Sequence, residues 1–287
     1  MPTAMIDGVE IYYEVTGEGE PLVWSHEFAG DHRSWAPQVR AFARRYRVIT
    51  YSNRGYLPSA IPDDPAAYSQ EQLVDDLRGL LLHLGIERAH VGGLSMGGNV
   101  ALNFALTYPE LCHGVVVAGC GVGSDDPERF RAEGRRLIAA MESEGMATFA
   151  AIYGWGPTRR QFAAKDPRGW QEFVDQLAEH SVRGSALIFG NVQRTRPTIY
   201  QLEEKLKACE VPILIVAGDE DEGCLRPGLF MKHHLRAAGL AILPQTGHTL
   251  NLEEPERFNQ LVLDFLTAVE QGRWPRRAGD SDADALF

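Results

Sequence analysis

The sequence predicts an α/β fold: a mostly parallel central sheet with helices on both faces, plus a helical cap inserted between two of the strands. Short continuous apolar runs alternate with segments patterned as helices. One of these runs leads directly into Gly93-Leu94-Ser95-Met96-Gly97, and residues 125–208 carry helix-like pieces without a clear strand. Continuous apolar runs are typical of parallel strands buried on both faces, and their alternation with helices is typical of a parallel sheet.

The individual elements follow from the hydrophobic pattern. Residues 9–15 alternate between apolar and polar side chains, which predicts an antiparallel edge strand. The continuous apolar runs predict parallel strands at residues 22–25, 48–51, 90–91, 115–118, 213–217 and 241–243. The segments between them predict helices at residues 35–45, 69–84, 100–108, 227–238 and 255–270.

These elements predict a division of the chain into domains. Residues 1–124 and 209–270 form the α/β core, and residues 125–208 form the helical cap. The cap is rich in large aromatic residues, of which most are expected in its own core, while Tyr153 and Trp155 are expected to face a substrate pocket. The tail, residues 271–287, has lost periodicity and is predicted to be flexible.

Composition restricts the class of protein. The chain has 287 residues, 44% of them hydrophobic and 23% charged, as is ordinary for a globular protein. A net charge of −11 disfavours nucleic acid and anionic membrane surfaces as partners. No apolar stretch is long enough for a membrane span, and the first residues lack the pattern of a secretory signal. The four cysteines, which lack the spacing of a metal site, are Cys112, Cys120, Cys209 and Cys224. Because no signal pattern is seen, we expect reduced thiols and a cytoplasmic location.

Ser95 is the candidate nucleophile. It lies between Gly93 and Gly97, directly after a predicted strand and directly before a helical pattern. A serine on such a sharp strand-to-helix turn is exposed for attack, and the glycines tolerate the strained backbone. The N-terminal N–H groups of the following helix would stabilise a developing negative charge.

His248 is the candidate base. It follows Gly247 on a loop after the last predicted strand, at the strand end where α/β sheets place their sites. Such a histidine needs a carboxylate to orient it, and residues 218–223 supply four acidic side chains after the preceding strand. A second location for the acid, at Asp125 and Asp126, is less favoured.

Several motifs resemble those of the α/β-hydrolase superfamily over roughly residues 9–268. Residues 93–98, Gly-Leu-Ser-Met-Gly-Gly, resemble the nucleophile elbow of its esterases, enol-lactonases and cofactor-free haloperoxidases. Residues 53–59 resemble its R-G-x-G-x-S loop, with Leu57 in place of the second glycine. Gly247-His248 followed by Glu253, Pro255 and Phe258 resembles its G-H…E-x-P…F ending.

The resemblance implies roles for further residues. The strand that ends in G-x-x-D assigns the acid of the triad to Asp221. The family's oxyanion donors correspond to the backbone N–H groups of Phe28 and Met96. His26-Glu27-Phe28 resembles the family's H-G-x loop, but Glu27 stands where glycine is usual. We expect Glu27 to shape the acyl side of the substrate pocket.

The resemblance also implies a reaction: hydrolysis of a small-molecule carboxylic ester or lactone through an acyl-enzyme on Ser95, without a metal or an organic cofactor. Carbon–carbon bond hydrolysis and cofactor-free perhydrolysis use the same triad and stay open. A non-catalytic small-molecule receptor on the same fold is the alternative from another class. A homodimer is left open.

Overall fold

The computed structural model describes residues 2–277, which build an eight-stranded sheet in the order β1-β2-β4-β3-β5-β6-β7-β8. The strands β3 to β8 run parallel, while β2 is antiparallel to both of its neighbours. The mostly parallel sheet that the apolar runs predict is therefore confirmed. The strands are β1 (Thr3–Ile6), β2 (Val9–Thr16), β3 (Glu20–Ser25), β4 (Tyr46–Tyr51), β5 (Ala89–Leu94), β6 (Cys112–Ala118), β7 (Ile213–Gly218) and β8 (Ala238–Leu243).

One strand prediction is corrected at the sheet edge. The alternating segment β2 is not the edge strand, because β1 pairs along its outer side, from Thr3 opposite Tyr12 to Ile6 opposite Val9. The short β1 has too few residues for its own periodicity to be recognised.

Helices cover both faces of the sheet. They are α1 (Ala36–Phe42), α2 (Gln70–His83), α3 (Met96–Thr107), α4 (Pro127–Gly154), α5 (Arg160–Lys165), α6 (Pro167–Ala178), α7 (Val182–Ile188), α8 (Glu203–Ala208), α9 (Glu222–His234), α10 (Leu250–Glu253) and α11 (Pro255–Glu270). Leu77 of α2 and Ala101 of α3 share one buried cluster with Val23 of the sheet. Phe42 of α1 and Phe265 of α11 share the cluster on the other face. Alternate side chains of the same strand point to the two clusters, as the pleat requires.

Residues 125–208, called the cap segment below, hold the helices α4 to α8 between β6 and β7. The helix α4 is broken at Gly145, whose φ of 80° lies outside the helical region. Its two halves pack against α6 and α7. The treatment of this segment as a separate domain stays a prediction.

The tail that is predicted to be flexible begins with contacts to the core, and its flexibility stays a prediction. The indole of Trp274 packs on Phe265 with a centroid distance of 4.8 Å, and its Nε1 donates to the carbonyl of Ala237 at 2.8 Å. These contacts place the half-buried Trp274 against the core, while the other residues of 271–277 are exposed. The rest of the predicted tail, residues 278–287, lies outside the described residues.

Within residues 2–277, none of the helices combines the length and the apolar character that crossing a membrane requires.

Candidate active site

Ser95 occupies the sharp turn between β5 and α3. Its φ of 57° and ψ of −108° are rare for a residue with a side chain, and α3 begins at the next residue. The backbone N–H of Ser95 donates to the carbonyl of Ala118 at 2.8 Å, which fixes the turn to the neighbouring strand. Gly97 is required here, because a Cβ at this position would collide with the backbone of Ser25. The strained backbone is held by its surroundings, as is frequent at functional sites.

His248 and Asp221 form a buried hydrogen-bonded pair. The Nδ1 of His248 lies 2.6 Å from Oδ2 of Asp221. Asp221 lies on the loop after β7 and His248 on the loop after β8, and these two strands are parallel neighbours. The backbone N–H of His248 also donates to the carbonyl of Thr158 in the cap segment at 2.8 Å. With Nδ1–H donating to the carboxylate, Nε2 is left as the nitrogen that can accept a proton.

The two pKa values move in the directions that such a pair requires. Burial alone would lower the pKa of His248, but the charge of Asp221 and its hydrogen bond raise it above the usual value. Burial alone would raise the pKa of Asp221, but the charge and hydrogen bond of His248 lower it. The carboxylate therefore stabilises the imidazolium form of His248.

The other acidic candidates have different partners. Asp219 is exposed and accepts a hydrogen bond from the backbone of Thr246 at 3.1 Å. Asp125 accepts from the hydroxyl of Tyr200, and Asp126 caps α4. In the part of the chain that the structure describes, Asp221 is the one among these acidic candidates that hydrogen-bonds His248.

Cys224 completes the surroundings of Asp221. Potential ligand atoms of Asp221, Cys224 and His248 all lie within 4.8 Å of one another. However, the 2.6 Å between His248 and Asp221 is shorter than the separation of about 3.4 Å between two ligands on a tetrahedral ion at about 2.1 Å. The distance fits a strong charge-assisted hydrogen bond instead. The backbone N–H of Cys224 donates to the carbonyl of Asp221 at 2.8 Å.

The loop that carries Phe28 is anchored on both sides. His26 Nδ1 donates to the carbonyl of Glu27 at 2.7 Å, and its Nε2 accepts from the backbone N–H of Asn53 at 3.0 Å. Burial lowers the pKa of His26 to about 4, so its ring is neutral at physiological pH. The hydroxyl of Tyr56 donates to the carbonyl of Phe28 at 2.9 Å. These bonds fix the orientation of the Phe28 peptide beside the start of α3.

Glu27 forms a buried ion pair with Arg159 of the cap segment. The guanidinium approaches both carboxylate oxygens, at 2.6 and 3.2 Å, and each residue is 2% exposed. The guanidinium of Arg159 also stacks over the rings of Tyr153 and Phe173, at 5.0 and 4.6 Å from their centroids. Burial alone would raise the pKa of Glu27, but the charge of Arg159 holds it below its usual value. The pair joins the loop that carries Phe28 to the cap segment.

We expect the loss of either partner to destabilise the protein strongly. Arg159→Met leaves the Glu27 carboxylate buried and unpaired, and Glu27→Leu leaves the Arg159 guanidinium buried and unpaired. Each change should lower the free energy of unfolding by about 3–5 kcal/mol. The double variant should cost clearly less than the sum of the two. Denaturant unfolding of all four proteins measures this coupling.

The exposed pair of Arg168 and Glu172, 91% and 60% exposed, is the matched control. The same changes there should cost less than about 1 kcal/mol. Single changes at Glu27 and Arg159 that cost no more than those of this control would contradict the prediction.

A cavity of about 430 Å³ joins the predicted site residues. Ser95, His248, Asp221 and Phe28 line it from the core. The cap segment contributes mostly apolar side chains and two arginines, including Phe130, Leu137, Tyr153, Phe189, Arg159 and Arg196. Its size and its apolar lining with few polar groups are typical of a small-molecule site.

Two predicted pocket residues are corrected. Trp155 is 58% exposed, packs on Trp170 with a centroid distance of 4.5 Å and does not line the cavity. It caps the end of α4, where its side chain faces outward while the next residue, Gly156, lines the cavity. Glu27 does not line the cavity either, although its partner Arg159 does. Tyr153 lies on the cavity wall, where it was predicted.

Sequence reasoning missed Arg159 and Arg196. Both belong to the cap segment, and nothing in their local pattern separates them from the surface arginines nearby. Glu27, an acidic residue in an otherwise apolar loop, was the available signal that a buried cation had to exist elsewhere.

With this geometry in view, comparison with known proteins identifies the family. The model described as the alpha/beta hydrolase family matches residues 22–261. The chain belongs to this family. An eight-stranded mostly parallel sheet, a serine on a strained turn after β5 and a paired histidine after β8 all agree with that membership.

Individual relatives are hydrolases. The chain is 29% identical to 3-oxoadipate enol-lactonase 1 of Acinetobacter baylyi, over 87% of this chain and 89% of the relative. It is 30% identical to a putative carbamate hydrolase of a Caulobacter species, over 93% and 98%. The crystal structure of the enol-lactonase from Burkholderia xenovorans superimposes with a TM-score of 0.82 at 27% identity, covering 93% of this chain and all of that one.

Proposed function

We propose that this protein is a serine hydrolase that cleaves a small-molecule carboxylic ester or lactone through an acyl-enzyme on Ser95. The observation that carries the proposal is the short hydrogen bond of the buried His248 to Asp221, in the same cavity that Ser95 lines from its strained turn. Relatives named as enol-lactonases and putative carbamate hydrolases support the same chemistry, since their names describe cleavage at a carbonyl carbon.

Acylation begins with proton transfer. His248 takes the proton of the Ser95 hydroxyl through Nε2, while Asp221 fixes the tautomer and stabilises the imidazolium that forms. The serine oxygen attacks the carbonyl carbon, and the imidazolium then gives its proton to the leaving oxygen. In deacylation, water replaces the serine as the nucleophile and His248 again acts as the base.

The oxyanion is proposed to bind at the backbone N–H groups of Phe28 and Met96. Neither N–H donates to an acceptor within residues 2–277, and Met96 is the first residue of α3. Each such donor contributes about 3 kcal/mol of transition-state stabilisation. Because Glu27 is paired with Arg159, its charge next to this site is compensated.

Labelling with a fluorophosphonate probe tests the proposal. We expect covalent modification at Ser95, located by mass spectrometry, and none in Ser95→Ala. Absence of labelling in the folded wild-type protein would refute the proposal and favour a non-catalytic receptor. A substrate panel of short acyl esters, lactones, carbamates and diketones, with hydrogen peroxide added to a parallel series, separates ester hydrolysis from carbon–carbon cleavage and perhydrolysis.

We expect Glu27→Gln to shift the acid limb of the pH profile of kcat/KM. The negative charge of Glu27 raises the pKa of His248, and the positive charge of Arg159 lowers it. Removal of the carboxylate charge takes away one of the effects that raise the pKa of His248 and leaves the opposing effect of Arg159, so this pKa falls, although Asp221 still raises it. Since His248 must be neutral to act as the base, activity should persist to lower pH.

Two further variants control this experiment. Glu27→Asp keeps the charge and should keep the acid limb near its wild-type position. Glu87→Gln removes one charge from an exposed site and should not move the acid limb. A limb that shifts to higher pH in Glu27→Gln would contradict the electrostatic account. Complete inactivity of Glu27→Gln with Ser95 still labelled would make Glu27 a direct acid or base in the reaction.

A further inference from the structure

Arg196 is the charged side chain of the cavity wall that lacks an opposite charge among residues 2–277. Its three hydrogen bonds all go to neutral acceptors: Nε to Oε1 of Gln193 at 3.0 Å, one terminal nitrogen to Oδ1 of Asn99 at 2.9 Å, and the other to the carbonyl of Val122 at 3.0 Å. None of the ion pairs in the described part of the chain includes Arg196. Its guanidinium is thus held in place but not neutralised.

The other charged groups on the wall each have a hydrogen-bonded partner. Arg159 is paired with Glu27, and Asp221 with His248. Glu133 pairs with Arg129 at 2.8 Å on the outer side of α4. Among the described residues, Arg196 is therefore the cation of the wall that no carboxylate pairs with, in a protein whose overall charge is −11.

Arg196 is partly removed from water, and part of its surroundings is apolar. The guanidinium lies 5.8 Å from the centroid of Phe130, and burial lowers its pKa below the usual value for arginine. A charge removed from water without a counter-ion is costly, and the cost is recovered when an anion binds. Three of the five guanidinium N–H groups serve the bonds to Gln193, Asn99 and Val122, which leaves two for a ligand.

Asn99 ties this charge to the nucleophile. Its side-chain oxygen accepts from Arg196, while its side-chain nitrogen donates to the carbonyl of Ser95 at 3.0 Å. Asn99 lies one turn after Ser95 on α3, and both Ser95 and Arg196 line the same cavity. A ligand that contacts Arg196 can therefore present another part of its structure to Ser95.

Two more arginines lie close by without a carboxylate partner in the described residues. Arg131 and Arg194 line, together with Arg196, a recess of about 10 Å³ that also shares Val122 and Phe130 with the cavity. The Nε of Arg194 is buried and makes no hydrogen bond within residues 2–277. The recess has room for about one water molecule, so it does not form a separate ligand site. It adds positive potential next to Arg196.

From these contacts we infer that Arg196 binds a carboxylate of the substrate, so that the molecule cleaved at Ser95 is an ester or lactone that carries a free acid group. The inference rests on the proposed function for the identity of the scissile bond, but the anion subsite itself does not depend on it. A planar guanidinium with two free N–H groups matches a carboxylate, and such charge-assisted hydrogen bonds are the stronger ones.

Calorimetric titration tests the subsite without any catalytic step. The ligands are the dicarboxylates succinate, glutarate and adipate, each compared with its neutral diamide. For at least one chain length, we expect the wild-type protein to bind the dicarboxylate at least about tenfold more tightly than the diamide, which corresponds to the strength of one charge-assisted contact. The dicarboxylate that binds should also slow the labelling of Ser95 by the fluorophosphonate probe, which places it in the cavity.

Variants locate the preference at Arg196. In Arg196→Gln the preference for the dicarboxylate should fall below about threefold, while Arg196→Lys should retain part of it because the charge remains. Arg135→Gln is the matched control, since Arg135 lies exposed on α4 of the same cap segment and the change removes the same charge. Should Arg196→Gln fail to fold, Arg196→Met keeps the apolar stem that packs near Phe130 and carries the same expectation.

Two results would overturn the inference: a wild-type protein that prefers none of the dicarboxylates, or an Arg196→Gln variant that keeps the preference. Either result leaves the proposed function standing if Ser95 is labelled and neutral esters are hydrolysed. Conversely, Arg196-dependent binding of a dicarboxylate in a protein whose Ser95 cannot be labelled would support the subsite and refute the hydrolase proposal.

Discussion

Replacement of Ser95 by alanine is expected to lower kcat for ester or lactone hydrolysis by about 10⁴-fold or more while the fold is kept. The hydroxyl is the only group that the proposed mechanism joins covalently to the substrate. Without it, the oxyanion donors and the binding cavity supply the residual catalysis. The backbone at Ser95 is strained, with a φ of 57°, but alanine places the same Cβ there and adds no new clash.

Steady-state kinetics of wild type and Ser95→Ala measure this loss, and thermal unfolding of both proteins checks the fold. Ser69→Ala serves as a control, because that serine caps α2 and lies outside the cavity lining. It should lower stability by about 1 kcal/mol with little effect on kcat. Activity of Ser95→Ala within tenfold of the wild-type value would refute the nucleophile assignment.

The second large effect is expected at Asp221. Asp221→Asn keeps the size of the side chain but removes the charge that stabilises the imidazolium of His248. An amide nitrogen facing Nδ1 also favours the tautomer with the proton on Nε2, which cannot act as the base. For the equivalent change in a Ser-His-Asp triad, a loss of about 10⁴-fold in kcat is typical, and we expect a loss of that order here.

Asp219→Asn is the matched comparison, because it lies two positions away and loses the same charge. Its carboxylate is exposed and accepts a hydrogen bond from the backbone N–H of Thr246, which an amide oxygen can also accept. We therefore expect a change of less than about threefold in kcat for this variant, since exposed charges interact weakly. If Asp219→Asn turned out to be the more damaging change, the pairing of His248 with Asp221 would not be the functional one.

The sequence alone determined the central architecture, because the signals for it are local. A parallel strand buried on both faces must be continuously apolar, and the runs that become β3, β4, β6 and β7 are recognisable for that reason. The turn at Ser95 needs small residues at Gly93 and Gly97, so the strand-to-helix context of the serine was also visible. For Asp221 the residues left several acids open, and the resemblance to a family made the choice.

Only the tertiary structure decided the partners that lie far apart in the chain. Glu27 was recognised as unusual, but its partner Arg159 lies 132 residues away, and no local pattern connects the two. The same holds for Trp274, whose contact with Phe265 lies in a stretch without any periodicity. It also holds for Arg196, whose hydrogen bonds to Gln193, Asn99 and Val122 place it on the cavity wall, which no local pattern records. Hydrophobic periodicity records which face of an element is buried, whereas the pairing of buried charges depends on which elements meet in space.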